Sequence, residues 1–154
     1  MPSCKKSNKK PSEQSAGGLE EITQGKPNKP SAGKVLILEN DYSNRVLFAD
    51  YLEQCGYLVY QLADERQVFE LLSSYQPDVL MLNLKLPMLD GFSVIEQIRG
   101  NSKWSKLSIL VVSGYSSIRD RQKAYHLGAN AYLVKPILPA DLSASVAHLI
   151  QQAK

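Results

Sequence analysis

The stretch Pro77-Asp78-Val79-Leu80-Met81-Leu82-Asn83-Leu84-Lys85-Leu86-Pro87-Met88-Leu89-Asp90-Gly91 decides the fold. Pro77 breaks whatever precedes it. Asp78 to Asn83 is then a short run with an uninterrupted apolar centre, the pattern of a strand covered on both faces. Leu84 to Asp90 reads as a loop, and Gly91 opens a helix with Phe92, Ile95 and Ile98 inward.

Working outward, the same unit recurs. Lys34 to Glu39 is a first buried strand. A helix from about Ser43 to Gln54 follows, with Leu47, Phe48, Tyr51, Leu52 and Cys55 on one face and Gly56 as its C-terminal cap. Tyr57 to Leu62 is a second strand. Asp64 then offers an N-cap for a helix carrying Val68, Leu71, Leu72 and Tyr75. Beyond the central stretch, Leu107 to Val112 is a fourth strand. A helix from about Ser117 to Leu127 ends at Gly128, and Ala131 to Val134 is a fifth strand. Pro136 and Pro139 separate it from a last helix, capped by Asp141 and packed through Leu142, Val146, Leu149 and Ile150. Five strand–helix alternations with short connections predict an α/β fold, since parallel strands need helical crossovers. The expected form is a flavodoxin-like, doubly wound (βα)5 domain with a five-stranded parallel sheet in the order 2-1-3-4-5.

Residues 1–33 hold Pro2, Pro11, Pro27 and Pro30 among Lys, Ser and Gly, with too little apolar surface to offset ordering entropy. They are expected to be a disordered tail, with the boundary at Gly33/Lys34 and one folded domain over 34–154. The tail contains six basic and three acidic residues, so it carries the whole net charge of +3. From Lys34 onward twelve bases balance twelve acids. A basic footprint on the folded part is absent, and nucleic acid is not expected as a partner. The Lys5-Lys6 and Lys9-Lys10 pairs leave open a salt-sensitive contact through the tail alone. No apolar run is long enough to span a bilayer, and the start lacks the apolar centre of a secretory leader. Cys4 lies in the tail and Cys55 in a predicted helix, so no disulfide is expected and the location read from the sequence is cytoplasmic.

In sheets of this kind ligands sit beyond the carboxyl ends of the strands. Those positions hold Glu39-Asn40-Asp41, Asn83, Ser113-Gly114 and Lys135-Pro136. The segments Lys34–Asp41, Pro77–Gly91, Ile109–Gly114 and Leu127–Pro136, in this order and on these elements, resemble the receiver domain of bacterial two-component response regulators. The resemblance covers nearly all of residues 34–152. It implies an aspartate that ends strand three and accepts a phosphoryl group, and an acidic pair after strand one that holds Mg²⁺. It also implies a Ser/Thr and a Lys that contact the phosphoryl oxygens.

Residue by residue the match is partial. The acceptor position falls on Asn83, and the acidic pocket is Glu39, Asn40 and Asp41. Ser113 and Lys135 are the phosphate-contact equivalents, and Tyr132 the equivalent of an aromatic switch. A primary amide is not a competent nucleophile, and Mg²⁺ prefers charged oxygen donors. Conventional phosphorylation is therefore expected to be lost, with no catalytic residues, no cofactor, and Mg²⁺ binding weak or absent. Asn83 is expected to act as a structural amide hydrogen-bonded to Lys135; Lys135 pairing with Glu39, and Ser113 capping the following loop, are the corresponding structural readings of those residues.

The function so implied is a single-domain, phosphorylation-independent pseudo-receiver of a two-component phosphorelay, not an enzyme, acting through protein contact. Its partners would be a histidine kinase, a regulator or another signalling protein, met on the helix 4–strand 5–helix 5 face, with a homodimer as a further arrangement. That face offers Tyr115, Ile118, Tyr125, Tyr132 and Ile137, with Arg119 and Arg121 at its rim. Two readings stand beside it: an active receiver phosphorylated on a non-standard acid such as Asp41, and a small-molecule or flavin binder on the same fold. His126, His148 and Trp104 receive no site role, Trp104 being a packing residue.

Overall fold

The structure, a computed structural model, describes residues 31–153. The expected tail lies outside the described residues except for its last three. Five strands, β1 (Lys34–Leu38), β2 (Leu58–Leu62), β3 (Val79–Leu82), β4 (Ser108–Ser113) and β5 (Ala131–Val134), alternate with five helices. The helices are α1 (Tyr42–Gln54), α2 (Val68–Tyr75), α3 (Gly91–Arg99), α4 (Ile118–Leu127) and α5 (Pro139–Ala153). All neighbouring strands are parallel, in the order β2-β1-β3-β4-β5. This is the flavodoxin-like arrangement that the alternation predicts.

The period of two along each strand divides the core into two layers. Leu36, Leu38, Leu80, Leu82, Ile109 and Val111 face α2, α3 and α4, where Leu72, Ile95, Ile98 and Ala124 meet them. Val35, Ile37, Val79, Met81, Leu110 and Val112 face α1 and α5, meeting Phe48, Leu52, Val146 and Leu149. With both faces covered, the centres of β1, β3 and β4 are continuously apolar, over Val35–Leu38, Val79–Leu82 and Ile109–Val112, which is why their sequence reads as runs rather than alternation.

Three local expectations change. Leu47 is 63% exposed, not inward. The buried positions of α1 are Phe48, Ala49 and Leu52, and Leu47 lies about 200° around the helix from Ala49. Pro139 opens α5 rather than preceding it, so Asp141 sits in the first turn instead of capping. A proline suits the first helical turn because its missing N–H would have no intrahelical partner. Cys55, half-buried at the C-terminal cap of α1, is disulfide-bonded, against the expectation that no disulfide forms.

Arg99, at the end of α3, ties the far ends of several elements. Its guanidinium donates to the carbonyls of Gly128 (3.0 Å), Trp104 (3.2 Å) and Leu107 (2.8 Å) and to Asn130 Oδ1 (2.8 Å). Burial pushes its pKa down. Gly128, at φ +124°, is held against this side chain: a Cβ there would lie 2.4 Å from Arg99 Cγ. Among the described residues no helix is long and apolar enough to cross a membrane.

The two layers set a test on stability. Ile95→Ala, in a fully buried position, is expected to lower the unfolding free energy by about 2–5 kcal/mol. Leu47→Ala is expected to change it by less than about 0.5 kcal/mol. Urea denaturation of the two variants reads the difference, and a comparable loss in both would contradict the placement of α1.

Candidate functional site

Register brings four strand ends to one place. Leu38 pairs with Leu62 and Leu82, and Val111 with Leu82 and Tyr132, so the residues following these strands share one edge of the sheet. The backbone continues the alignment past the strands: Asn83 N–H donates to Leu38 O (3.1 Å) and Lys135 N–H to Ser113 O (2.8 Å). The resulting open cavity, about 600 Å³, is lined by Glu39, Asn40, Asp41, Asn83, Ser113 and Lys135 among others. Of the site residues expected from the sequence, Glu39, Asn40, Asp41, Asn83, Ser113 and Lys135 line it, and Tyr132 does not.

Glu39 is the centre. Only 2% of it is exposed, and a buried carboxylate demands partners. One oxygen takes the Lys135 ammonium at 2.8 Å. The other accepts the Asp41 N–H at 3.0 Å and the Asn83 side-chain amide at 3.3 Å. Asn83 Nδ2 also donates to Asn40 Oδ1 (2.9 Å) and Lys85 O (3.0 Å), so three acceptors converge on its two hydrogens. Asn83 thus bonds to Glu39 and Asn40 rather than to Lys135, which Glu39 has claimed.

The remaining groups are also engaged. Asp41 caps α1, its carboxylate accepting from Asn44 N–H at 2.9 Å. Arg45 bonds the Glu39 carbonyl at 3.0 Å. Ser113, fully buried, accepts the Tyr115 N–H at 3.0 Å and so ties the turn after β4. Tyr132 is 6% exposed, and its hydroxyl donates to Tyr115 O at 2.8 Å. Burial raises its phenol pKa. The apolar face expected around α4 therefore loses one member: Tyr115, Ile118 and Tyr125 are exposed, but Tyr132 packs below them with the Arg121 guanidinium 5.3 Å over its ring.

Two further residues, Gly91 and Glu65, shape the loop after Asn83. Gly91 allows α3 to start against the strand end, since a Cβ would lie 2.5 Å from Leu84 Cα and 2.9 Å from Asn83 O. Its place after Asp90, the N-cap of α3, is legible in the sequence; its steric role is not. Glu65, 2% exposed, sits in a 3-10 turn (Glu65–Gln67) after β2 and accepts the backbone N–H groups of Met88 and Leu89. It fastens the loop from across the sheet. The sequence shows only an acid beside Asp64; the backbone donors lie more than twenty residues away. Asp64 itself caps that turn and pairs with Arg66 at 2.8 Å, which holds its carboxyl down to about 2.

Comparison with known proteins places this geometry. Residues 35–147 match the family described as the response regulator receiver domain. The chain is 32% identical over 119 residues to a probable transcriptional regulator ycf27 of Guillardia theta, covering 77% of this chain and 46% of that protein. It is 31% identical to the DNA-binding dual master transcriptional regulator RpaA of Synechocystis, covering 77% of this chain and 49% of that protein. The chain thus spans about half the length of these relatives. Among solved structures, the Vibrio cholerae chemotaxis protein CheY4 superposes with a TM-score of 0.71 at 27% identity, over 75% of this chain and 97% of that one. The names of the relatives overturn one expectation: nucleic acid had been set aside because residues 34–154 are charge-neutral, yet relatives of this chain are transcriptional regulators, one of them DNA-binding. The neutral charge of residues 34–154 therefore does not exclude nucleic acid. The family match, the order of the parallel strands and the residues gathered at their ends agree, and the chain belongs to the response regulator receiver domain family.

Proposed function

We propose that the chain is a pseudo-receiver, a signalling module of a two-component system that acts through contact with protein and without phosphorylation of residue 83. The observation that carries this reading is the Asn83 amide, which ends β3 and donates to Glu39, Asn40 and Lys85 O. A carboxylate at this position offers a nucleophilic oxygen for attack on phosphorus, whereas the delocalised amide is a poor nucleophile and its nitrogen here serves as a donor. Residues 34–154 would be the signalling unit and 1–33 its leader, in the cytoplasm. Given the names of the relatives, the output we propose is control of transcription.

The donor set supports a weakened cation site. Glu39 is already neutralised by Lys135, Asn40 Oδ1 accepts from Asn83, and Asp41 is committed to the α1 cap. Mg²⁺ would meet one compensated carboxylate, too little negative charge to replace its water. Among the described residues no cluster of three or more acidic, His or Cys side chains is arranged to hold a metal. The same cap argues against Asp41 as a substitute acceptor, because an acyl phosphate there would replace the charged oxygen facing the Asn44 N–H by a neutral carbonyl, a weaker cap.

Ser113 and Lys135, the phosphate-contact equivalents, have internal partners in Tyr115 N–H and Glu39. The inward Tyr132, bonded to Tyr115 O, supports a switch region held in one arrangement by the chain's own groups.

Three outcomes test this. Incubation with acetyl phosphate and Mg²⁺ should leave the intact mass of the wild-type chain unchanged, whereas the Asn40→Asp/Asn83→Asp variant gains a phosphoryl adduct; an adduct on the wild type refutes the reading. Calorimetric titration with millimolar Mg²⁺ should show no saturable heat in the wild type and binding in the same double variant. Lys135→Met should destabilise the fold by about 1–3 kcal/mol, since it strands the buried Glu39 carboxylate. Adding Glu39→Gln should recover most of that loss, as read by denaturant melts.

A further inference from the structure

At the opposite end of the sheet from Asn83 lies a second groove, about 460 Å³, which the signalling chemistry does not use. Its walls are the end of α2 with the turn into β3 (Ser73, Gln76, Asp78), the segment before β4 (Lys103, Trp104, Lys106) and Ala153 at the end of α5. Trp104 is half-buried, stacked on Phe69 with ring centroids 5.7 Å apart. Its other neighbour is the Lys103 ammonium, 5.4 Å from the ring centroid. Among the described residues that ammonium has Ser73 Oγ as its one hydrogen-bond partner, at 3.4 Å, and Lys106 is exposed. Neither lysine has a carboxylate partner among the described residues. The acid in the groove, Asp78, is taken by the Lys34 backbone N–H at 2.8 Å. The groove therefore offers an aromatic wall and two uncompensated positive charges on a domain that is neutral as a whole.

The described chain begins beside one wall of this groove, against Asp78. Gly33 packs so closely on Asp78 and Ile150 that a Cβ would lie 3.2 Å from the Asp78 carboxylate and 2.7 Å from Ile150 Cδ1. Upstream of Ser31 the sequence contains a segment of opposite character, Leu19-Glu20-Glu21-Ile22, two acids between two aliphatic residues. It holds two of the three acids that precede Lys34. Ile22 stands nine residues from Ser31, so the intervening chain reaches about 30 Å when extended, enough to return to a groove beside its own entry point.

We propose that Leu19–Ile22 of this chain docks in the Trp104 groove, with Glu20 and Glu21 facing Lys103 and Lys106 and an aliphatic side chain against the indole. Tethering raises the effective concentration of such a short segment to the millimolar range, so a contact too weak for a free peptide is populated within the chain. Displacing the segment would open a basic-aromatic surface far from the Asn83 site.

The chain has one tryptophan, so its fluorescence reports on this groove alone. In the full chain, Glu20→Lys with Glu21→Lys should shift Trp104 emission to longer wavelength and raise its quenching by acrylamide. Lys103 lies over the ring, so Lys103→Glu with Lys106→Glu alters emission by itself and serves as a background. In that background the two tail reversals should move emission back to shorter wavelength and lower quenching. Unchanged emission and quenching in the tail variant overturn the proposal. So does a shift that the fourfold variant fails to reverse, or one that disappears on dilution, which would assign the groove to a second copy.

Discussion

A single buried charge organises the upper end of this molecule. Glu39 ends β1 almost without exposure, and an ionised carboxylate is tolerated there only with counter-charge and donors in place. Those partners come from three separate segments: Lys135 after β5, Asn83 at the end of β3 and the Asp41 N–H at the start of α1. The sheet fixes where each strand ends, and the carboxylate fixes where each side chain points. The ion pair is a condition of the local geometry more than a source of net stability, because desolvating both groups offsets much of their attraction.

The identity of residue 83 decides whether that geometry is relaxed or charged. A carboxylate there would stand about as far from Glu39 as the present amide nitrogen does, 3.3 Å, and two carboxylates that close cannot both ionise without a cation between them. The amide removes the conflict by donating to the acid it would otherwise oppose. One positive and one negative charge then balance with no external ion. Asn40 extends the effect by accepting from Asn83 where an acid would repeat the repulsion. The two neutral residues act together, which is why we read them as one change in the site and not as two independent ones.

The fold was legible in the sequence because it depends on patterns that survive projection onto one dimension. The apolar runs of β1, β3 and β4 and the spacing of Phe92, Ile95 and Ile98 report burial directly. Leu47 misled because it sits beside two buried positions of α1, and an apolar residue one step away looks like part of the stripe. The positions of the site residues were legible too, since each follows directly on a strand. Their partners were not. Whether Asn83 would meet Lys135 or Glu39 depends on which group wins the ammonium, a three-body competition that no spacing encodes. Glu65 was missed for a related reason: it bonds to backbone N–H groups, which every residue has, so no side-chain type marks its partner.

The loop between Asn83 and Gly91 shows how local rules and distant contacts combine. Its end is set locally, by Asp90 capping α3 and by Gly91 admitting the backbone of Leu84. Its middle is set from β2, through the buried Glu65 carboxylate and the Met88 and Leu89 N–H groups. Its start is set by Asn83, which bonds Lys85 O at 3.0 Å. A loop held at start, middle and end has little freedom to respond to an event at one of them. Moving it would require breaking bonds to a buried carboxylate, each worth about 1.5–3 kcal/mol when the acceptor is charged. Releasing the middle of the loop therefore requires the Glu65 carboxylate to give up the Met88 and Leu89 N–H groups, and releasing its start requires the Asn83 amide to give up Lys85 O.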